Sequence, residues 1–248
     1  MSDIKKILNN FEPISLKQLE ENASLMDRRD TKFIIKHSLL PEILTCLSQE
    51  YYALEIGNVR EFDYTNIYYD TPSLNLFRCH HNGKLNRYKV RLRRYEDVGT
   101  NFFEVKFKSN KDRTIKKRVK VKEFSEEIVD KEWDFLLSYS YFQRQEMVVP
   151  VVNVIYKRIT LVNKKFTDRV TIDINLCFNN HEKEADMNNI VIIELKQSSH
   201  TQSLLKNILK EKHIHPFSFS KYCMGICKLY PHVKMNTFKM KLKKINAI

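Results

Sequence analysis

Residues 88–94 read Tyr-Lys-Val-Arg-Leu-Arg-Arg, so Lys89, Arg91 and Arg93 fall on one side of an extended chain and Val90 and Leu92 on the other. Side chains of a strand point alternately to opposite faces. Such a segment therefore needs an apolar layer on one side and a polar environment on the other. The pattern recurs. In 103–108, Glu104, Lys106 and Lys108 alternate with Phe103, Val105 and Phe107. In 114–122, Lys116, Arg118, Lys120 and Lys122 share a face opposite Ile115, Val119 and Val121. Tyr156 and Arg158 share a face, as do Arg169, Thr171 and Asp173; Glu194 and Lys196 alternate with Ile193 and Leu195.

Strands are expected at about 31–36, 61–70, 86–95, 101–108, 113–122, 151–162, 167–178 and 190–196. Helices are expected at about 40–49, briefly after Thr71-Pro72, at 125–138 around Trp133, and at 201–212 and 220–229. The opening segment 3–23 has loosely helical apolar spacing, and the basic tail after Met235 reads as poorly ordered. At least eight strands in mostly consecutive order predict an α+β chain. Its architecture would be an antiparallel β-barrel forming a tunnel, with flanking helices. With four glycines, six prolines and no linker-like stretch, residues 1–248 read as a single domain with its core at about 25–230. No run reaches the roughly 18 apolar residues of a membrane span, and the N-terminus carries no secretory signal. Five cysteines without a C-x-x-C pair argue against a zinc ribbon or disulfide framework and fit reduced thiols in the cytoplasm.

The chain has 43 basic and 30 acidic residues, a formal charge of +13. That excess implies a polyanionic partner: nucleic acid, an anionic membrane surface, or a phosphate-rich small molecule. A solvated sheet face is the plainer reading of any one basic strand. Taken together, neighbouring strands with several like charges each would repel one another across the ladder. A barrel with basic residues inward makes sense of this if a polyanion neutralises them. Glu104, Asp173 and Glu194 could then serve as lysine partners or as oxygen ligands of a hard divalent cation. Ser220 and Lys221 stand at an expected helix start, where a serine cap, free N–H groups and the helix dipole favour phosphate; an ordinary cap is the alternative. His213 and His215 have no third ligand near them in sequence and read as loop residues.

In chain order, RRDTKFII at 28–35, NIYYDT at 66–71, KVRLRRY at 89–95, FFEVKFK at 102–108, IKKRVKV at 115–121, VIYKRITL at 154–161, RVTIDINL at 169–176, IIELK at 192–196 and FSKYCMG at 219–225 resemble the VTC domain. That is the polyphosphate polymerase domain of the vacuolar transporter chaperone family, within the triphosphate tunnel metalloenzymes. The resemblance implies that Lys32, Arg91, Arg93, Lys106, Arg158 and Lys221 act on the reacting phosphates. It places Lys116, Arg118, Arg169 and Ser220 along the phosphate chain, Tyr156 beside the tunnel arginine, and Glu194 as ligand of Mn²⁺ or Mg²⁺. Alternation adds Lys89 and Lys196 to the lining. The implied partners are ATP and inorganic polyphosphate, with no specific nucleic acid, and the implied reaction is polymer synthesis. A triphosphatase or polyphosphatase of the same fold, or a non-catalytic polyphosphate-binding module, are the alternatives. Hydrolytic relatives open with Glu-x-Glu-x-Lys, whereas this chain reads Arg28-Arg29-Asp30-Thr31-Lys32. Loss of the first carboxylate lowers the expected number of metal ligands and disfavours simple hydrolysis. Residues 1–248 carry neither the SPX domain nor the membrane helices that accompany the domain in the vacuolar complex, so coupled export is not expected of this chain.

Overall fold

Alternation is realised in an eleven-stranded sheet. A computed structural model of the chain describes residues 2–22, 28–111, 113–139, 142, 148–198 and 201–248. The strands are β1 (Glu12–Ile14), β2 (Arg28–Lys36), β3 (Tyr51–Leu54), β4 (Phe62–Asp70), β5 (Arg87–Tyr95), β6 (Thr100–Lys108), β7 (Thr114–Val121), β8 (Val149–Asn163), β9 (Asp168–Asn179), β10 (Glu184–Asp186) and β11 (Ile190–Ser198). The main path runs β2-β11-β9-β8-β4-β5-β6-β7 and every neighbouring pair in it is antiparallel. β3 joins the long β8, β1 joins β3 in parallel, and β10 edges β9. The eight-stranded path matches expectation, but its closure does not: among the described residues no ladder joins β2 to β7. The sheet curls without closing. Lys106 on β6 still lies near enough to Lys32 on β2 and Glu194 on β11 to feel their charges.

Eight helices complete the fold: α1 (Ser2–Leu8), α2 (Leu16–Asn22), α3 (Leu40–Leu47), α4 (Asn75–His81), α5 (Asp130–Leu137), α6 (Leu204–Glu211), α7 (Lys221–Leu229) and α8 (Asn236–Asn246). The convex face of the sheet carries the expected apolar residues. Phe33, Ile35, Ile159, Ile172, Ile193 and Leu195 are buried with α1, α3 and α6. Val90, Leu92, Phe103 and Val105 are buried with Leu136 of α5. Each such side chain contributes about 1.5–3 kcal/mol relative to exposure.

The concave face divides into two zones, which simple alternation does not show. Ile34 and Ile192 share a face with Lys32 and Glu194, one step further along their strands, yet they are buried with Val152, Val154, Phe178 and the α7 residues Tyr222, Met224 and Ile226. α7 therefore plugs one end of the concavity and leaves the charged end open. Gly225 permits this seating: a Cβ there would lie 2.8 Å from both Phe178 Cδ1 and Val152 Cγ2. The plug is tied to β4 by Asp70. Its buried carboxylate accepts hydrogen bonds from the Leu76 and Phe77 amides of α4 (2.8 and 2.9 Å) and from the Tyr222 hydroxyl.

Several local expectations are corrected. The helix after Thr71-Pro72 starts only at Asn75, because Leu74 adopts a left-handed conformation (φ 57°). The helix expected from 125 starts at Asp130. The opening segment is not one helix but α1, β1 and α2. The tail expected to be poorly ordered folds into α8, which buries Phe238 and Ile245. Phe238 packs on Phe77 and His81 of α4 at 5.8 and 5.9 Å between ring centroids. Within the described residues, no helix is long and apolar enough to cross a membrane.

Candidate functional site

Directly opposed residues of an antiparallel ladder share a face, so the register alone assembles the open end of the concavity. One row runs Lys32, Glu194, Thr171, Thr160 across β2, β11, β9 and β8. On the other wall, Tyr68, Arg91, Glu104 and Arg118 align across β4 to β7, beside a row of Lys89, Lys106 and Lys116. Between them, Asp173 faces Arg158 and Tyr156 faces Tyr64. Arg169 opposes Lys196, which opposes Asp30, one step further along the face.

The cations are held by buried carboxylates. Glu104, 2% exposed, takes Arg91 Nε on Oε2 at 2.6 Å and Lys116 on Oε1 at 2.6 Å. Asp173, 3% exposed, receives a two-pronged contact from Arg158 (2.6 and 2.8 Å) and a further bond from Lys221. Glu194 pairs with Lys32 at 3.1 Å. Burial would push these carboxyls up, but the neighbouring cations win. Arg91, Arg93 and Lys116 bring Glu104 down to about 2, and Lys32, Lys196 and Arg158 do the same to Glu194. Asp173 is held well below the usual carboxylate range by Arg158 and Lys221. All three are therefore ionised, and a bidentate guanidinium is fixed in orientation before any ligand arrives.

Aromatic side chains set the remaining cations. Arg93 is buried and donates to Asn66 Oδ1 (2.8 Å) and Tyr156 hydroxyl (3.0 Å). Tyr64 and Tyr156 stack at 5.3 Å, with Arg158 over both rings and Lys221 4.3 Å from the Tyr156 centroid. Ser220 caps α7 by accepting from the Cys223 amide at 3.2 Å, and its oxygen also accepts from Lys89 at 2.9 Å. Burial pushes Lys89 and Lys106 down from the usual lysine range, as does each one's proximity to other cations. Burial brings Lys116 down to about 8 against the pull of Glu104.

The structure thus gathers Lys32, Lys89, Arg91, Arg93, Lys106, Lys116, Arg158, Tyr156, Glu194, Ser220 and Lys221 on one concave surface. Arg118 lies on the edge strand, exposed, with its guanidinium 4.5 Å from the Phe102 ring centroid. Arg169 and Lys196 stand further along the face. His213 follows α6 in a left-handed conformation (φ 56°), and both His213 and His215 are exposed. Tyr64, Asn66 and Tyr68 on β4 are the residues that sequence reasoning missed. The alternation Phe62, Tyr64, Asn66, Tyr68 carried the signal, but none of these residues is charged.

Among the described residues, no three His, Cys, Asp or Glu side chains cluster as a metal site. Glu194 is nevertheless a fitting partial site. Beside it in the ladder the Thr171 hydroxyl is buried with no hydrogen-bond partner. A magnesium-type ion commonly takes one or two carboxylates and fills its remaining positions with water and phosphate oxygens.

The VTC domain family model matches residues 27–230. The chain belongs to the VTC domain family. Solved structures extend the comparison at the level of fold. The Hippeastrum protein HpAC1, described as a candidate adenylyl cyclase with a dominant triphosphatase activity, is 13% identical. It aligns over 80% of this chain and 95% of its own with a TM-score of 0.51. A candidate adenylate cyclase from Vibrio parahaemolyticus is 13% identical over 80% and 97% of the two chains, with a TM-score of 0.45. The PH1819 protein of Pyrococcus horikoshii is 17% identical over 81% and 96%, with a TM-score of 0.44. No curated protein matched this VTC domain.

Proposed function

We propose that this VTC domain is an ATP-dependent polyphosphate polymerase that transfers the terminal phosphoryl group of ATP to a growing polyphosphate chain. The observation that carries the reading is the pair of carboxylate-anchored clusters on the concave face, Arg91–Glu104–Lys116 and Arg158–Asp173–Lys221. They present guanidinium and ammonium groups from two walls to one elongated anion. Family membership supports the same substrate class, and the triphosphatase activity ascribed to HpAC1 agrees with a tri- or polyphosphate ligand.

In this reading the γ-phosphorus of ATP forms a bond to a terminal oxygen of the chain as its bond to the β–γ bridging oxygen breaks, and ADP leaves. The attacking phosphate oxygen is already ionised, so no general base is required. Positioning and charge stabilisation suffice for a loose phosphoryl-transfer transition state. Arg91 and Arg158, fixed by their carboxylates, clamp oxygens in two-pronged geometry; Lys32, Lys106 and Lys221 add point charges. Glu194, with Thr171 beside it, would hold Mn²⁺ or Mg²⁺, which would supply positive charge to offset that of the phosphates. Five unpaired cysteines and an ATP donor fit a cytoplasmic setting. A hydrolase would use the same surface with water as acceptor. Against it stands β2, where Arg28 replaces the first carboxylate and Asp30 faces Lys196.

Incubation of the purified protein with ATP and Mn²⁺, followed by gel separation and polyphosphate staining, tests the reading. A ladder of long polymer is expected. Free phosphate alone would assign the site to hydrolysis, and neither product together with tight single-stranded DNA binding would overturn the phosphate-chain reading.

A further inference from the structure

Tyr68 is the tyrosine of β4 whose hydroxyl reaches the Arg91 cluster. Its ring is buried and stacks on Tyr222 of α7 at 5.3 Å. Its oxygen accepts a hydrogen bond from Arg91 Nη1 at 3.1 Å, while Arg91 Nε binds Glu104 on the other side. Arg91 is thus gripped by two oxygens, one a carboxylate and one a phenol. The charges acting on the phenol come from β5: Arg91, Arg93 and Lys89. From α7 it meets the Tyr222 ring, with Cys223 close to Lys89; its register partner on β8 is the apolar Val152. Glu104 stands across Arg91 from the phenol and shares the same guanidinium. Burial pushes the phenol up, but the three cations and the Arg91 hydrogen bond outweigh it and bring the group down to about 8.

We propose that Tyr68 is a positioning residue that doubles as a titratable counter-ion of the empty site: on the alkaline side of neutrality it gives up its proton beside Arg91 when no anion is bound, and it regains that proton when a phosphate chain arrives. The inference rests on the reading that a phosphate chain occupies this surface. The proton balance is simple. As phenolate, Tyr68 neutralises part of the β5 charge and keeps the guanidinium in place. An incoming polyanion puts negative charge on the same guanidinium, the phenolate is no longer favoured, and one proton is taken from solvent to the oxygen. Lys116, brought down by burial to about 8, titrates over the same range, so affinity against pH is a poor readout. Phenolate absorbance in the near ultraviolet reports the tyrosine and is silent to lysine.

The test titrates the full-length protein and follows that absorbance. One phenol is expected to ionise about two pH units below an ordinary tyrosine, from 10.0 to about 8. The step should be absent in Tyr68→Phe, which keeps the ring stack on Tyr222. In the wild-type protein, held near the midpoint of the step, saturating inorganic triphosphate should remove most of that phenol's phenolate signal. This measurement needs no variant. Persistence of the early step in Tyr68→Phe, or its absence from the wild type, overturns the assignment. Calorimetric binding of triphosphate with no change in phenolate signal overturns the counter-ion role and leaves the phosphate reading standing. Failure of triphosphate to bind overturns both.

Discussion

Two surfaces of this VTC domain are strongly basic, and they are built on opposite plans. On the concave face, arginines and lysines from four strands and α7 are set against buried or half-buried carboxylates, which fix their heads in place. On α8, Lys239, Lys243 and Lys244 are exposed, and among the described residues none has an acidic partner. From Lys212 to Ile248 the chain contains eight lysines, no arginine and no acidic side chain. The net charge of +13 counts both surfaces alike. Physically they differ: anchored guanidinium groups in a partly desolvated site can select phosphate geometry, whereas hydrated ammonium groups on flexible stems offer charge without shape. If that contrast is right, removing single charges should be costly in the concavity and nearly neutral on α8.

The largest expected effect is at Arg158 and Lys221, which share Asp173. Lys221→Ala should lower polymer synthesis at least about a hundredfold, comparable to losing one donor to a transition-state oxyanion. Asp173 would keep its two-pronged contact with Arg158, so the fold should survive. Arg158→Ala should lose activity similarly and also destabilise the protein. Stripping one partner from a buried ion pair costs on the order of 3–5 kcal/mol, and the remaining Lys221 bond would bring the value to the lower end. Equal denaturation midpoints for the two variants would break the proposed division of labour between clamp and point charge.

Next comes the position of the plug. Gly225→Ala would place a methyl group 2.8 Å from Phe178 Cδ1 and Val152 Cγ2. α7 must then rise from the sheet or its neighbours must change rotamer, at about 1–3 kcal/mol. The same shift would move Ser220 away from Lys89 and Lys221 away from Asp173. A fall in thermal stability together with a raised KM for ATP is expected. A stability loss with KM unchanged would show that the plug supports the core without setting the site.

These cases show where the sequence was legible. The two faces of β5 and β6 could be read from alternation, because Val90, Leu92, Phe103 and Val105 are buried with Leu136 of α5 while the alternating cations have charged or solvated neighbours; on the edge strand β7 the rule weakens, since Ile115 is exposed. The same rule failed at Ile34 and Ile192. They point to the charged face, yet they are buried, because α7 from far along the chain occupies that end. Only a contact at long sequence separation distinguishes Ile34 from Lys32. Tyr68 was missed for a related reason: an uncharged phenol in an aromatic-rich strand gives no signal until Arg91 is seen beside it. The α8 tail was misjudged because its lysines obscured a spacing, Phe238, Leu242 and Ile245, that packs one side of the helix.

The anchoring carboxylates also separate the two surfaces by pH. Glu104 and Glu194 each have a folded pKa of about 2 against an ordinary 4.5. Groups lowered in this way contribute stability that is present above the unfolded value and is lost as pH falls through the folded one. Stability should therefore decline between about pH 4.5 and 2, by a few kcal/mol in total as a rough upper figure. Asp70, pushed up by burial, works in the opposite sense and moderates the decline. Denaturant titrations across this range should show a shallower slope in Glu104→Gln than in the wild type. An unchanged slope would mean that the Arg91–Glu104–Lys116 cluster adds nothing to the folded state.

The smallest effect is the most discriminating for the comparison. Replacing Lys239, Lys243 and Lys244 together by Gln removes three charges, yet each side chain is exposed and touches no acidic group among the described residues. Surface substitutions of this kind typically change stability by no more than about 0.5 kcal/mol each. Phe238, Leu242 and Ile245, which dock the helix, are untouched. Affinity for triphosphate at moderate salt should be within about twofold of wild type, because exposed charges more than roughly 8–10 Å apart are largely screened. Binding of long polyanions at low salt should weaken, since that interaction needs charge alone. A tenfold loss of triphosphate affinity in this variant would mean that α8 belongs to the ligand site, and the division between anchored and free cations would then have to be redrawn.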